Sequence, residues 1–121
     1  MLNRNTSLVL LVITLVFLSA NSIFAENSSE VIKIIPKNNN ELYSPVGVAV
    51  SGNKIYVTNT LVGKIQIYDK NNGKLLSEFG ERGMGKGKFS LPWDVAIGKN
   101  KNIYVSDLGQ HRILIFNRNG K

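Results

Sequence analysis

An all-β fold of short antiparallel strands is what this sequence predicts, and three observations predict it. Within 121 residues, the runs VGVAV (46–50), IYVTN (55–59), KIQIYD (64–69) and KLLSEF (74–79) are β-branched or aromatic and of period two, with almost no helical pattern. The segments between them, SGNK, TLVG and KNNG, are turn compositions short enough for hairpins, so each strand pairs with its predecessor in an antiparallel meander. The third observation is internal repetition. Pro45 aligns with Pro92, Val48-Ala49 with Val95-Ala96, Asn53 with Asn100, Ile55-Tyr56-Val57 with Ile103-Tyr104-Val105, Ile65 and Ile67 with Ile113 and Ile115, and Gly73-Lys74 with Gly120-Lys121. The spacing is 47 to 48, with one-residue adjustments in turns.

A four-stranded unit repeated at that spacing marks a β-propeller blade. Blades are covered on both faces by their neighbours, so their inner strands should be apolar on both sides. VGVAV fits: Val46, Val48 and Val50 fill one face, while Gly47 and Ala49 keep the other thin where blades converge. The expected repeat core is Pro45, Val48, Ile55, Val57, Ile65 and Ile67 in the first copy. In the second it is Pro92, Trp93, Val95, Ile103, Val105, Ile113 and Ile115. The expected fold is therefore about two four-stranded blades of an incomplete propeller.

Taken in order, the chain opens on Arg4, an apolar run LVLLVITLVFL (8–18) and SANSIFA (19–25), the three parts of a secretory signal peptide. Cleavage is expected after Ala25, although Ile23 is bulkier than the residue favoured three before a cut, which leaves Ala20 or an uncleaved anchor over 6–25 as alternatives. The run of eleven is short beside the about 20 apolar residues that span a bilayer. Residues 26–41 carry VIKII (31–35), which precedes its loop much as LLSEF precedes the glycine-rich loop and so reads as a stray outer strand. Residues 42–88 form the first blade with its crossover, and 89–121 the second blade without its last strand. The crossover GERGMGKGK (80–88) has no GxxxxGK[ST] pattern and leads into Phe89 and Pro92 rather than a helix, so it is not a phosphate loop.

The segment FSLPWDVAIGKNKNIYVSDLGQHRILIFNRNG (89–120) resembles the NHL repeat, through Phe89, Pro92, Val95, Ala96, Ile103-Tyr104-Val105, Asp107, Gly109, His111-Arg112, Ile113 and Phe116. The first copy is degenerate, with Asn59 in place of the aspartate, Gly63 of the histidine and Lys64 of the arginine. The resemblance implies that Asp107, Gly109, His111 and Arg112, with Asn59 and Lys64 in the first copy, are structural residues of the repeat turn. Asp107 is expected to accept N–H groups of the turn that follows it, and Arg112 to pair with Asp107. An acid-base or metal-binding role is the competing reading, but one histidine falls short of the three protein ligands of a catalytic zinc.

Charge and composition narrow the function. There is no cysteine, which excludes a disulfide framework and a cysteine nucleophile. Removing residues 1–25 takes away Arg4 and no acidic residue, lowering the net charge from +7 to +6, with the basic residues dispersed rather than in a stripe. Nucleic acid is therefore not an expected partner. The expected function is an exported, non-catalytic NHL-type scaffold, without cofactor or metal, that binds a protein or an extracellular polymer. A membrane partner is expected only if the leader stays attached. The alternatives are a remnant of a propeller lyase or lactonase whose catalytic residues lie in other blades, and an RNA-binding propeller. Since two blades cannot close a ring, the chain is expected to be part of a longer propeller, or to assemble as a homotrimer of six blades.

Overall fold

The computed structural model describes Ile35, Pro36 and residues 42–121, all within one compact unit. Seven strands follow one another: β1 (Pro45–Ser51), β2 (Lys54–Asn59), β3 (Lys64–Asp69), β4 (Leu75–Phe79), β5 (Pro92–Ile97), β6 (Ile103–Asp107) and β7 (Arg112–Phe116). They form a four-stranded sheet in the order β1-β2-β3-β4 and a three-stranded sheet in the order β5-β6-β7, every pair antiparallel. The all-β fold with blade-like meanders is thus as the alternation of residues predicts. The leader and most of the stray strand at 31–35 lie outside the described residues; Ile35 and Pro36 make a bend, with the Ile35 side chain against Gly73 in the β3–β4 turn.

Register decides which side chains share a face. Ala49, Tyr56, Ile67 and Ser77 stand opposite one another across the first sheet, and Val48, Val57, Gln66 and Glu78 occupy the other side. In the second sheet Val95, Val105 and Leu114 share one face with Ile97, Ile103 and Phe116, while Ala96, Tyr104 and Ile115 share the opposite face with Asp94, Ser106 and Ile113. The core forms where the first set of each sheet meets. Tyr56, Ile65, Ile67, Phe89, Val95, Ile103, Val105 and Phe116 are its buried members, with Ala49, Phe79, Ile97 and Leu114 packed around them. Phe116 sits between Phe79 and Phe89, ring centroids 4.9 and 5.5 Å away in tilted contacts that suit aromatic quadrupoles.

Five residues expected in the core are exposed. Val48 retains 63% of its accessible surface, Ile113 69% and Ile115 61%, and Trp93 and Pro45 are also open. Period two places each of them correctly within its own sheet. What they lack is a sheet on that side: Val48 belongs to the face of the first blade turned away from the second, and Ile113 and Ile115 to the face of the second turned away from the first. Ile55 is half-buried, while Val57, Ile65, Ile67, Pro92, Val95, Ile103 and Val105 are buried.

Candidate functional site

The repeat turn is a hydrogen-bonded latch. Asp107 ends β6 and is 1% exposed. Its Oδ2 accepts the amide of Ser90 at 2.9 Å and the Gln110 side-chain amide at 2.8 Å, and its Oδ1 accepts the amide of Leu91 at 2.9 Å. Burial pushes this carboxyl up, but the donors from Leu91, Ser90, Gln110 and Gly109 outweigh it and hold the group below its ordinary value. Asp107 therefore ties the strand end mainly to the segment entering β5, in addition to Gly109 of the turn that follows. Arg112 does not pair with it. Its Nη2 donates to the carbonyls of Gly85 at 2.6 Å and Lys88 at 3.1 Å, pinning the glycine-rich crossover to the start of β7.

The first blade builds the same latch from different residues. Asn59 ends β2, accepts the amide of Tyr43 at 2.9 Å and donates to Gln66 at 2.9 Å, so an amide replaces the carboxylate on the segment entering β1. Lys64, in the arginine position, pairs instead with Glu78 of β4. His111 and Gly63 are matched in another respect. Both have left-handed backbone, φ 51° and 69°, so the histidine position is set by the turn's backbone, and His111 itself is exposed. Gly109 lies against Ser90, where a Cβ would come within 2.4 Å of its hydroxyl.

Sequence reasoning missed the contacts that join the blades. Thr58 Oγ1 accepts the amide of Gly47 at 2.7 Å and donates to the carbonyl of Trp93 at 3.1 Å; Thr60 Oγ1 donates to the carbonyl of Pro92. Gly47 permits this approach, since a Cβ there would stand 2.6 Å from Cα of Asp94. The available signal was a small hydroxyl at matched positions, because Ser106 is the repeat partner of Thr58 and likewise accepts the amide of Asp94 at 3.0 Å.

The candidate site is the open face of the second blade. Ala96, Tyr104, Ser106, Ile113 and Ile115 are the repeat partners of Ala49, Tyr56, Thr58, Ile65 and Ile67, the residues of the first blade that face the second. Ile65 is 0% and Ile67 5% exposed, whereas their partners Ile113 and Ile115 are 69% and 61% exposed. At one end this face opens into a cleft of about 370 Å³ lined by Trp93, Ser106, Asp107, Leu108, His111, Arg112 and Ile113. Within that cleft both Asp107 oxygens are already engaged by N–H donors, and no group of three or more His, Cys, Asp or Glu among the described residues is placed to hold a metal.

Two meanders stacked face to face, each latched to the segment that enters it, define this as a protein of propeller blades. The chain belongs to the DUF5128 family, described as a 6-bladed beta-propeller, whose pattern it matches over residues 12–121. A search of curated proteins gives no match.

Proposed function

We propose that this chain is an exported, NHL-type propeller unit with no catalytic chemistry of its own, an interaction scaffold whose open faces meet further blades. The observation that carries the reading is the repeat correspondence at the second blade. Ile113 and Ile115, exposed there, have repeat partners, Ile65 and Ile67, that are buried against a neighbouring sheet. Such a face is shaped for a sheet rather than for a small molecule. Apolar burial stabilises by about 25 cal/mol per Å², so leaving it in water is the less stable state.

The occupant we assign is the open face of the first blade in another copy, where Val48 and Val50 stand exposed. Three copies of a two-blade chain would supply the six blades of the family's ring, and further blades of a longer propeller would supply the same faces. The NHL assignment rests on the Asp107-to-Arg112 turn and the export assignment on Arg4 and residues 8–25. The rim of the finished ring would then be the surface for a protein or extracellular polymer. Light scattering tests the assembly: the chain freed of residues 1–25 is expected at three times its monomer mass, and Ile113→Asp is expected to reduce it to monomer. A folded wild-type monomer at the same concentration would refute the reading.

A further inference from the structure

A second cleft, of about 410 Å³, opens between the two blades at the end where the strands turn, away from the latch. Ser51, Lys54, Tyr56, Lys101, Arg118 and Asn119 line it. Three separate hairpin regions supply its cations: Lys54 from the start of β2, Lys101 from the β5–β6 turn and Arg118 from the turn after β7. We propose that this cleft binds a small anion carrying two or more carboxylate or phosphate charges.

Two features support the assignment. The lining contains no carboxylate, and the ion pairs among the described residues are Lys64–Glu78 and Lys88–Glu81, elsewhere in the blades. Asp69, opposite Lys54 in the register, is already accepting from the Asn53 side chain at 2.8 Å and from the amides of Asn71 and Asn72. Donors to complement the cations are also in place. Tyr56 is buried at the cleft floor, and burial pushes its phenol up, so at neutral pH it keeps the proton it donates.

The second feature is the conformation of Lys101. It holds φ 66°, a left-handed backbone that disfavours lysine, and its ammonium reaches across the blade junction to Ser51 Oγ at 3.2 Å. Arg118 suits a carboxylate or phosphate through its planar fork, and the two lysines act as mobile point charges.

Calorimetric titration of the full 121-residue chain at low salt, with pyrophosphate and with citrate, tests this, acetate serving as the singly charged control. Saturable binding of one pyrophosphate or one citrate per chain is expected, weakening as salt is raised, with no saturation by acetate. Comparing the two anions distinguishes phosphate from carboxylate as the natural chemistry. Lys101→Gly suits the left-handed backbone and so preserves the turn; it is expected to weaken binding at least tenfold, as is Arg118→Ala. Lys86→Ser removes the same charge from the crossover and is expected to change nothing. Absence of saturable binding of both anions to a chain with a folded β-sheet circular dichroism spectrum would overturn the proposal. So would equal weakening by Lys86→Ser, or no weakening by Lys101→Gly.

Discussion

Asp107 is the residue whose chemistry the repeat turn depends on most. Three of its donors are backbone amides, those of Ser90, Leu91 and Gly109, and the fourth is the Gln110 side chain. Replacing it by alanine leaves the half-buried amides of Ser90 and Leu91 without an acceptor, at about 1–3 kcal/mol for each. Asp107→Ala is therefore expected to lower stability by about 3 kcal/mol in urea unfolding, and Asp107→Asn by less. The same hydrogen bonds give the latch a pH dependence. The folded carboxyl lies below its ordinary 3.8, so between that value and the depressed one the unfolded chain binds more protons. The contribution is complete above the ordinary value and is lost as pH falls through the folded one. Asp107→Asn should remove this component of acid destabilisation, which urea midpoints measured at neutral pH and below 3.8 would show as a shallower decline than wild type.

Between elements, the closest approach is that of β1 to β5. Glycine at position 47 lets the backbones come together, and the Thr58 hydroxyl then bridges Gly47 and Trp93. A methyl group in that space would stand 2.6 Å from the Asp94 Cα, 2.7 Å from its Oδ1 and 2.8 Å from the Trp93 carbonyl oxygen. Gly47→Ala is expected to cost about 1–3 kcal/mol, as other insertions into filled space do, and to separate the sheets rather than distort either one. Calorimetric or denaturant unfolding checks the magnitude. A stability equal to wild type would mean that the junction is looser than this geometry. In the second blade Asp94 takes the place of Gly47. A sheet meeting that face would therefore pack over Ile113 and Ile115 rather than repeat the β1–β5 approach.

At the scale of the molecule, two sheets bury one shared core and leave two further faces of propeller character. If those faces meet in solution, assembly stabilises the folded chain by mass action. The midpoint of thermal unfolding is then expected to rise with protein concentration, and Ile113→Asp to abolish the rise while leaving the sheet spectrum intact. A concentration-independent midpoint for the wild-type chain would argue that each chain is stable alone. The basic groups are distributed by end. Lys54, Lys101 and Arg118 gather at the cleft between the hairpin turns, while Arg112 and Arg82 are committed to the carbonyls of Gly85, Lys88 and Leu61.

Much of this was legible in the residues. Alternation and turn composition are local properties, so the strands, their antiparallel order and the internal repeat follow from the sequence read along its length. The turn role of Asp107 follows too, because an acidic side chain at a strand end has backbone amides within reach. Its partners did not follow: Ser90 and Leu91 lie 17 and 16 residues away, and Arg112 turned to the crossover instead. Nor did the blade junction, since nothing local marks Gly47, Thr58 and Trp93 as neighbours across 35 residues. Burial was the least legible property. Val48, Trp93, Ile113 and Ile115 have the pattern of core residues, and the pattern is right about the sheet they belong to. By itself the sequence determined the strands, the repeat and the two-sided apolar character of each blade, because these depend on short-range periodicity. Only the tertiary structure decided which face of each blade is covered, because burial depends on what lies across the sheet.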